Sequence, residues 1–406
     1  MASELRVNTI TSTTGVGTVT LGSGGVSFSG TPRFNDVTLS SINGNPISGP
    51  RNKFINGNFD IWQRGSSLAG QGGNGLVYLA DRWAIETWSS TTARLTYDRA
   101  LDAPTVGGTV GFSSYSARIT VTTTSNNSNT SDFGLLRQFI EGYNAQDLYQ
   151  RPFTVSFWVK SSLVGTYCFS AFGGGVGPGQ SSGTPSFSQT YTINNANTWE
   201  YKIIQVPACP AGTYSNWDFG NGRGFDIMWR LWSGNTSYSG SFGTWSTGAY
   251  TLPGSHINFA GTNGATWQIA QVQLEVGTVA TPFERRSYGQ ELQLCERYYQ
   301  VIKVYGNAYA GQYTNGGSFF GQSVSLHTKM RADASVATYE GISGTAYWTE
   351  PGQTAFSAAS TTGITVTGQS DTVSMVQTRQ AGNSTPTRNF YYMWEQTFNF
   401  RLAAEL

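Results

Sequence analysis

The side chains able to do chemistry in this 406-residue chain are few and scattered. There are two histidines, His256 and His327, far apart in sequence. Imidazole metal sites and Ser-His-Asp relays both need histidines in company. Cleaving a glycosidic bond needs two carboxylates about 5–9.5 Å apart. Asp218 and Asp226 flank the Gly220–Arg223 turn, and Asp81 and Glu86 form a second pair. A chain of this length supplies such pairs by chance. No Walker loop, HExxH, GxSxG or EF-hand loop occurs. The glycine run Gly173–Gly177 has no helix behind it and makes a poor phosphate cradle. No catalytic set, metal site or cofactor is expected.

Binding chemistry has better support. Sugars offer flat C–H faces and many hydroxyls. Aromatic rings cover the former; Asn, Gln, carboxylates and backbone groups meet the latter. Tyr214, Trp217, Trp232, Tyr238 and Trp245 gather in a Gly/Ser-rich stretch, and Tyr347, Trp348 and Glu350 fall in the loop-like GTAYWTEPGQ. The candidate ligand contacts are Tyr347, Trp348, Glu350, Trp232, Tyr238 and Trp245. Any one of these rings is better explained as core; rings grouped on loops are harder to explain that way.

Composition says what must hold such residues. Charged residues make up 12%, net charge is +1, and there are 50 glycines. That leaves no basic field for nucleic acid or an anionic membrane. A surface solubilised by short polar groups on tight turns belongs to an all-β protein. Aromatics are 14% of the chain, and each ring buries about 150–250 Å², so a substantial core is within reach. Cys168, Cys209 and Cys295 form no CxxC pair, and an odd count speaks against a disulfide framework. They are expected as small buried hydrophobes in a reducing cytoplasm. The first residues lack the apolar run of a signal peptide, and no stretch of 18 apolar residues exists.

Residues 1–50 contain only Glu4, Arg6, Arg33 and Asp36 as charges. Short β-prone pieces alternate with Gly-rich turns, too short to close a core alone. They read either as a flexible linker or as a stem completed by identical chains. The alternation of Val19, Leu21, Val26, Phe28, Phe34, Val37 and Leu39 favours the stem. Residues 51–285 read as one β-sandwich. Phe153, Val155, Phe157 and Val159 share one strand face, with Thr154, Ser156 and Lys160 on the other. Ala117, Ile119 and Val121 repeat the pattern, and 200–208 is a strand stopped by Pro207. Residues 135–152 break the β rhythm and are expected to hold one helical turn. In Trp267–Glu275 the apolar phase slips, which predicts a bulge or a strand buried on both sides. Ser287 and Gln290 form a capping box, and Tyr288, Leu292, Cys295 and Tyr299 share a face of the predicted 286–301 helix. That helix packs either on its own chain or against two copies at an axis. Residues 302–406 read as a second β domain. In it Val324, Leu326 and Met330 fall on one side, and 389–402 forms one long strand.

Two stretches, Lys53–Gly65 (KFINGNFDIWQRG) and Trp267–Gln300 (WQIAQVQLEVGTVATPFERRSYGQELQLCERYYQ), resemble a module of bacteriophage tail fibres and other phage appendages. The openings SELRVNTI and FNDVTLSSINGNPISG look like virion-attachment and stem segments of fibres from phages of marine cyanobacteria. The stretch through Met330-Arg331-Ala332-Asp333 resembles the distal domain that follows the module, with Asp where the family often has Pro. The module also looks related to sandwich-type carbohydrate-binding modules that hold calcium with an NGD/NGE segment and an acidic final strand. Here those positions are Asn56-Gly57-Asn58 and Ala270-Gln271, without the carboxylates.

The resemblance implies an all-β homotrimer in four parts: a virion-attachment segment and stem (1–50), a jelly-roll-like sandwich carrier (51–285), a connecting helix (286–301) and a distal β domain (302–406). Expected trimer contacts are Val19, Leu21, Phe28, Leu39, Leu292, Cys295 and Tyr299. The implied role is a non-enzymatic tail fibre, made in the host cytoplasm and carried on the virion. Residues 1–50 would bind tail or capsid proteins, and the far end would meet host polysaccharide. Three tips per fibre can raise avidity by about 10²–10⁴. The alternatives are a capsid-bound head fibre or decoration protein and, less favoured, a glycan-degrading tailspike. Neither nucleic acid binding nor membrane insertion is expected.

Overall fold

The computed structural model describes residues 41–405, apart from 43–44, 47–49, 74, 89–92, 105–112, 126–131, 175–183, 212–216, 235–241, 248–254, 306–312, 315–316, 333–334, 341–345, 350–356, 360–363, 369–371, 380–390 and 394–396; side chains of 41–49, 303–324 and 333–400 also lie outside the description. The expected stem contacts Val19, Leu21, Phe28 and Leu39 therefore lie outside the described residues.

Ser41–Ile42 (β1) and Asn45–Pro46 (β2) pair as a small hairpin. Thirteen strands follow: β3 (Ser67–Gln71), β4 (Gly75–Tyr78), β5 (Ala84–Trp88), β6 (Arg94–Ala100), β7 (Ser116–Thr123), β8 (Phe133–Glu141), β9 (Phe153–Ser161), β10 (Gly165–Gly173), β11 (Pro185–Ile193), β12 (Glu200–Val206), β13 (Arg223–Ser233), β14 (Trp245–Thr247) and β15 (Thr266–Val276). They form a seven-stranded sheet, β14-β11-β10-β13-β8-β5-β4, facing a six-stranded sheet, β12-β9-β15-β7-β6-β3. Every pair within the two sheets is antiparallel.

Alternation builds the core between the sheets. Phe153, Val155, Phe157 and Val159 of β9 are buried at 1% exposure or less, as the sequence pattern predicts. They meet Phe225, Ile227, Trp229 and Leu231 of β13. Trp229 is the hub: its ring centroid lies 5.4 Å from Phe157, 5.6 Å from Phe169, 5.8 Å from Trp83 and 6.0 Å from Phe54. Such edge and tilted ring contacts add about 0.5–1.5 kcal/mol each beyond area burial. The strand β8 runs through the stretch expected to break the β rhythm. It is buried on both faces, and its buried Arg137, Gln138 and Glu141 stand among apolar residues, so no apolar/polar alternation shows. The expected helical turn comes next, as α1 (Gly142–Ala145) and a 3₁₀ turn over Gln146–Leu148.

The phase slip in β15 is a bulge. Its register on β9 jumps between Ala270 and Gln273, and Gln271 has φ of +51°. The strand is also buried along almost its whole length. The turn at Asn56-Gly57 docks on this bulge. The amide of Val272 donates to the Gly57 carbonyl at 2.8 Å, and the Asn52 side chain donates to the Val272 carbonyl at 3.0 Å.

The helix α2 (Tyr288–Glu296) carries the predicted capping box: the Gln290 amide donates to Ser287 Oγ, and the Ser287 amide donates to Gln290 Oε1. It is shorter than the predicted 286–301. Residues from Tyr299 enter strand β16 (Tyr299–Tyr305), which pairs with the C-terminal strand. The helix packs on its own chain. Cys295 and Tyr298 form a cluster with Ile55 and Ile61, with Leu292 against it. Cys295 is 0% and Tyr299 3% exposed within the single chain, and the Arg64 guanidinium stands 3.6 Å from the Tyr299 ring centre. These two residues are therefore corrected from intermolecular to intramolecular contacts, because the Asn52–Trp62 segment already covers this helix face; Leu292 lines the same cluster.

Beyond α2 the strands are β16, β17 (Tyr313–Thr314), β18 (Gly317–Ser325), β19 (Ser335–Glu340), β20 (Ala346–Thr349), β21 (Ser357–Ala359), β22 (Ile364–Gly368), β23 (Thr372–Arg379), β24 (Tyr391–Met393) and β25 (Thr397–Ala403). They pair as β16-β25-β19, β17-β18-β23-β22 and β21-β20-β24. The long strand expected over 389–402 is two strands in different sheets, β24 and β25. The chain end is tied back to the sandwich. Arg82 and Arg64 both bind the Glu405 carboxylate, and Arg331 donates to the carbonyls of Ala404, Glu405 and Asn221.

Candidate binding surface

The residues chosen from sequence divide sharply in the structure. Trp232 is a core residue at 0% exposure. A register shift between Arg230 and Trp232 turns its ring inward over Gly134, where an added Cβ would come within 1.9 Å of the ring. It is thus removed from the contact set. Trp245 is half-buried; it packs on Phe187 at 5.8 Å, and its indole N–H donates to the Pro207 carbonyl at 2.7 Å. Tyr238 and Glu350 lie outside the described residues. Tyr347 and Trp348 lie on β20, a strand between β21 and β24 where a loop was expected; their side chains lie outside the described residues. Trp217 packs on Tyr149 and Phe225 at 5.1 Å.

The carboxylate pairs are held by the chain itself. Asp226 and Glu86 both grip the Arg137 guanidinium from opposite sides, on neighbouring strands of the seven-stranded sheet. Asp81 is 0% exposed; it accepts from the Gln63 amide and lies 3.4 Å from Arg64. Burial, partly opposed by Arg64 and Gln63, pushes its carboxyl up to about 7. Asp218 accepts from the Gly220 amide at 2.7 Å. His256 is part-buried and pushed down to about 4, mainly by burial and also by Arg230. His327 lies 3.0 Å from the Glu296 carboxylate. Among the described residues no cluster of three His, Cys, Asp or Glu gathers. The three cysteines are free thiols and buried.

The middles of both outer sheet faces are buried; the two faces differ at the edge strand β12. On the seven-stranded sheet, Leu135, Arg137, Ser170, Met228 and Arg230 are all at 1% exposure or less, so the middle of that face is closed to solvent. The six-stranded sheet presents a different set. Thr154, Ser156, Trp158 and Lys160 of β9 point away from the core, and β12 runs beside them with Tyr201 opposite Trp158 and Ile203 opposite Ser156. Tyr201 is 37% and Ile203 49% exposed. Trp199, at the head of β12, is half-buried and continues the same row. Successive outward residues on a strand stand about 6.6–6.8 Å apart, so the three side chains form a stripe along one edge.

Each part of the stripe is anchored. Trp158 and Tyr201 meet at 5.4 Å between ring centroids, and the Trp158 indole N–H has no partner among the described residues. The Trp199 indole N–H donates to Asp102 Oδ1 at 3.1 Å, and the Lys160 ammonium lies 5.3 Å from its ring centre while pairing with the same carboxylate. Partial burial would raise the Asp102 carboxyl, but the hydrogen bonds from Lys160 and Trp199 outweigh it and hold it below its usual value. The turn before Trp199 is fixed by Glu200, whose carboxylate accepts from the Asn194 and Asn195 amides at 2.8 and 2.7 Å. Burial works against that carboxylate, yet these bonds and Lys202 bring it down to about 2. Further across the sheet lie Gln268, the Arg118–Asp98 pair and Ser116. The result is an aromatic and aliphatic stripe on β12 bordered by Asp102 and Lys160, while Gln268 and Ser116 further across are buried. The sequence carried a signal for it: Trp158 is an aromatic on the otherwise polar phase of FTVSFWVK, and Tyr201 and Ile203 sit on the exposed phase of an edge strand.

No protein-family model matches the sequence, and no curated protein matches it. Solved structures similar to the chain include the enzymatically active domain of bacteriophage CBA120 tailspike protein 4, at 14% identity and TM-score 0.27, covering 48% of this chain and 19% of that one. A CBM4 structure is 15% identical at TM-score 0.27 and covers 54% of this chain and 97% of its own. The family 11 carbohydrate-binding module from Clostridium thermocellum, in complex with a beta-1,3-1,4-mixed-linked tetrasaccharide, is 10% identical at TM-score 0.26, covering 53% and 97%. The chain thus spans about a fifth of the tailspike it matches, and at these scores no ligand or activity passes from any of the three to this chain.

Proposed function

We propose that this chain is a subunit of a phage tail fibre or equivalent appendage that adsorbs to host-surface glycan without cutting it. The observation that carries the glycan part is the row Trp199, Tyr201 and Ile203 beside Trp158, bordered by Asp102 and Lys160. A pyranose ring stacked on such a stripe buries apolar area worth about 25 cal/mol per Å², while its hydroxyls meet the polar border. The appendage part rests on the resemblance of Lys53–Gly65 and Trp267–Gln300 to the phage module. In this reading residues 1–50 hold the virion, three chains associate, and weak contacts repeated on each chain supply avidity. The strand carrying Tyr347 and Trp348 adds a distal contact. A binding rather than cleaving role accords with the arginine-bound carboxylates of Asp226 and Glu86.

The test uses purified full-length protein on immobilised host lipopolysaccharide or capsular polysaccharide. Wild type is expected to bind and to release no oligosaccharide, and Trp199→Ala and Tyr201→Ala each to weaken binding about tenfold, roughly 1.4 kcal/mol. Binding that is indifferent to both substitutions would reject the stripe, and released oligosaccharide would reject the non-cleaving role. A monomer by sedimentation equilibrium would reject the trimeric fibre.

A further inference from the structure

A cleft of about 400 Å³ opens where the Asn56–Asp60 turn faces the start of α2. Its walls include Asn58, Asp60, Arg99, Tyr115, Phe283 and Tyr288. Much of the nearby charge already holds the chain together. Glu284 accepts from the backbone amides of Arg51 and Asn52 at 3.1 and 2.8 Å, and Arg286 donates to the Phe54 carbonyl and to Glu291.

Four groups are not used in this way. Asn58 is 7% exposed; its Nδ2 donates to Asp60 Oδ2 at 2.8 Å, but its Oδ1 has no partner among the described residues. A buried acceptor left without a donor costs about 1–3 kcal/mol, so a ligand donor there would be favoured. Asp60 makes no ion pair among the described residues. The Arg99 guanidinium lies 4.5 Å from the centre of the Tyr115 ring and likewise makes no ion pair among the described residues. Tyr288 is 63% exposed at the start of the capped helix α2.

The ligand chemistry follows from these groups. Asn58 Oδ1 and Asp60 call for donors, and Arg99 calls for an acceptor. Arg99, Arg285 and Arg286 oppose a free cation, while Asp60, Glu284 and Glu291 oppose an anion. A neutral polyhydroxylated ring satisfies all of them, since each hydroxyl both donates and accepts, and its C–H face suits Tyr288. The volume falls in the range of about 300–1,000 Å³ usual for small-molecule sites. We infer that this cleft binds one neutral hexose unit of a glycan, through hydroxyl donation to Asn58 and Asp60, donation from Arg99, and stacking on Tyr288. It deepens the glycan-binding reading given above but uses none of the residues of the Trp199–Ile203 stripe.

The test is saturation-transfer NMR on the full chain with methyl glucoside, methyl galactoside and methyl mannoside as separate probes, and with methyl glucuronide and calcium chloride as charged controls. At least one hexoside should receive saturation, and neither control should displace it. Asp60→Asn and Tyr288→Ala should each weaken that hexoside about tenfold, whereas Tyr201→Ala should leave it unchanged. Tyr288 is exposed enough that its removal spares the fold, and a matched thermal melt checks this. No transfer to any hexoside, displacement by the glucuronide or calcium, or affinity unmoved by both cleft variants would overturn the assignment. Hexoside binding that persists in a protein with no affinity for the polymer would support the cleft while rejecting the adsorption stripe, so the two readings fail separately.

Discussion

The guanidinium carbon of Arg82 stands 3.5 Å from the centre of the Tyr298 ring, and this contact joins the sandwich to the segment that leads into the distal sheets. Arg82 also donates to the Phe139 carbonyl and pairs with Glu405 near the C-terminus. Its backbone φ is +71°, a left-handed conformation that costs a non-glycine residue energy and persists only where surroundings fix it. The Tyr298 hydroxyl in turn donates to Glu141 at 2.6 Å, and Glu141 binds Arg297. The chain end, the helix and the sandwich are therefore one bonded unit at this point.

The first prediction follows from that unit. Arg82 and Glu405 have side chains 1% and 10% exposed; removing Arg82 leaves the Glu405 carboxylate with Arg64 alone, the Phe139 carbonyl without its donor and the Tyr298 ring without its cation. Arg82→Ala is expected to cost about 3–5 kcal/mol in chemical denaturation. Lys53→Ala is the contrast, because its partner Asp147 is 60% exposed; its effect should stay within about 0.5 kcal/mol. Equal effects for the two would show that the junction holds nothing together.

Asp81 gives a pH dependence of unusual sign for a carboxylate. Burial is the main cause of its shift up to about 7, with Arg64 and Gln63 opposing. Between its ordinary pKa near 3.8 and about 7, the folded chain binds a proton that the unfolded chain does not. Stability from this group is therefore full at the acid end of that window. It falls as pH rises through it, by on the order of 1 kcal/mol per pH unit, and levels off above 7. Thermal melts from pH 5 to 8 should show wild type losing stability relative to Asp81→Asn, which has no proton to lose. Parallel curves would mean that Asp81 is ionised in the fold throughout.

Much of the sandwich was legible before the structure. FTVSFWVK shows its two faces by strict alternation, and the Trp267–Glu275 phase slip announces the bulge at Gln271. Other features were not legible because their cause is tertiary. The strand β8 is covered on both sides and so loses the period-2 signal. Trp232 looked exposed because it lies amid Gly and Ser, but a one-residue register shift in β13 decides which face it takes. Cys295 and Tyr299 keep helical spacing whichever surface covers them, so sequence alone left their partner open; Ile55, Ile61 and Arg64 supply it. The signal for the Trp199–Ile203 stripe, an aromatic on the polar phase of β9 and apolar residues on the outward phase of β12, becomes specific only once β12 is seen to be an exposed edge strand.

The Asn56-Gly57 turn tests how closely the sandwich is closed by its first segment. A Cβ added to Gly57 would lie 2.2 Å from the Val272 carbonyl oxygen, a backbone atom of the bulge that cannot swing aside. The Val272 amide also donates to the Gly57 carbonyl, so a shift of the turn breaks that bond. Gly57→Ala is expected to destabilise by about 1–3 kcal/mol or more, read as a lower denaturation midpoint at unchanged slope. Gly264→Ala is the control for left-handed strain without a clash, since its added Cβ would meet nothing within 4 Å; at φ of +76° it should cost about 1–2 kcal/mol. A Gly57 variant as stable as that control would mean the bulge and the turn move independently.

The last prediction separates core tryptophan from surface tryptophan. Trp232 is fully buried among the aromatic core, whereas Trp199 is half-buried at the head of an exposed edge strand and is held by one hydrogen bond to Asp102. Trp232→Ala should leave a cavity and cost about 3–5 kcal/mol. Trp199→Ala removes little packed volume and should cost below about 1.5 kcal/mol, while weakening polysaccharide binding about tenfold. The two measurements run in opposite directions for the two residues, so denaturation midpoints and biosensor affinities taken together distinguish them. If Trp199→Ala unfolds the protein instead, the ring is a structural strut for the Lys160–Asp102 pair. The glycan stripe would then have to begin at Tyr201.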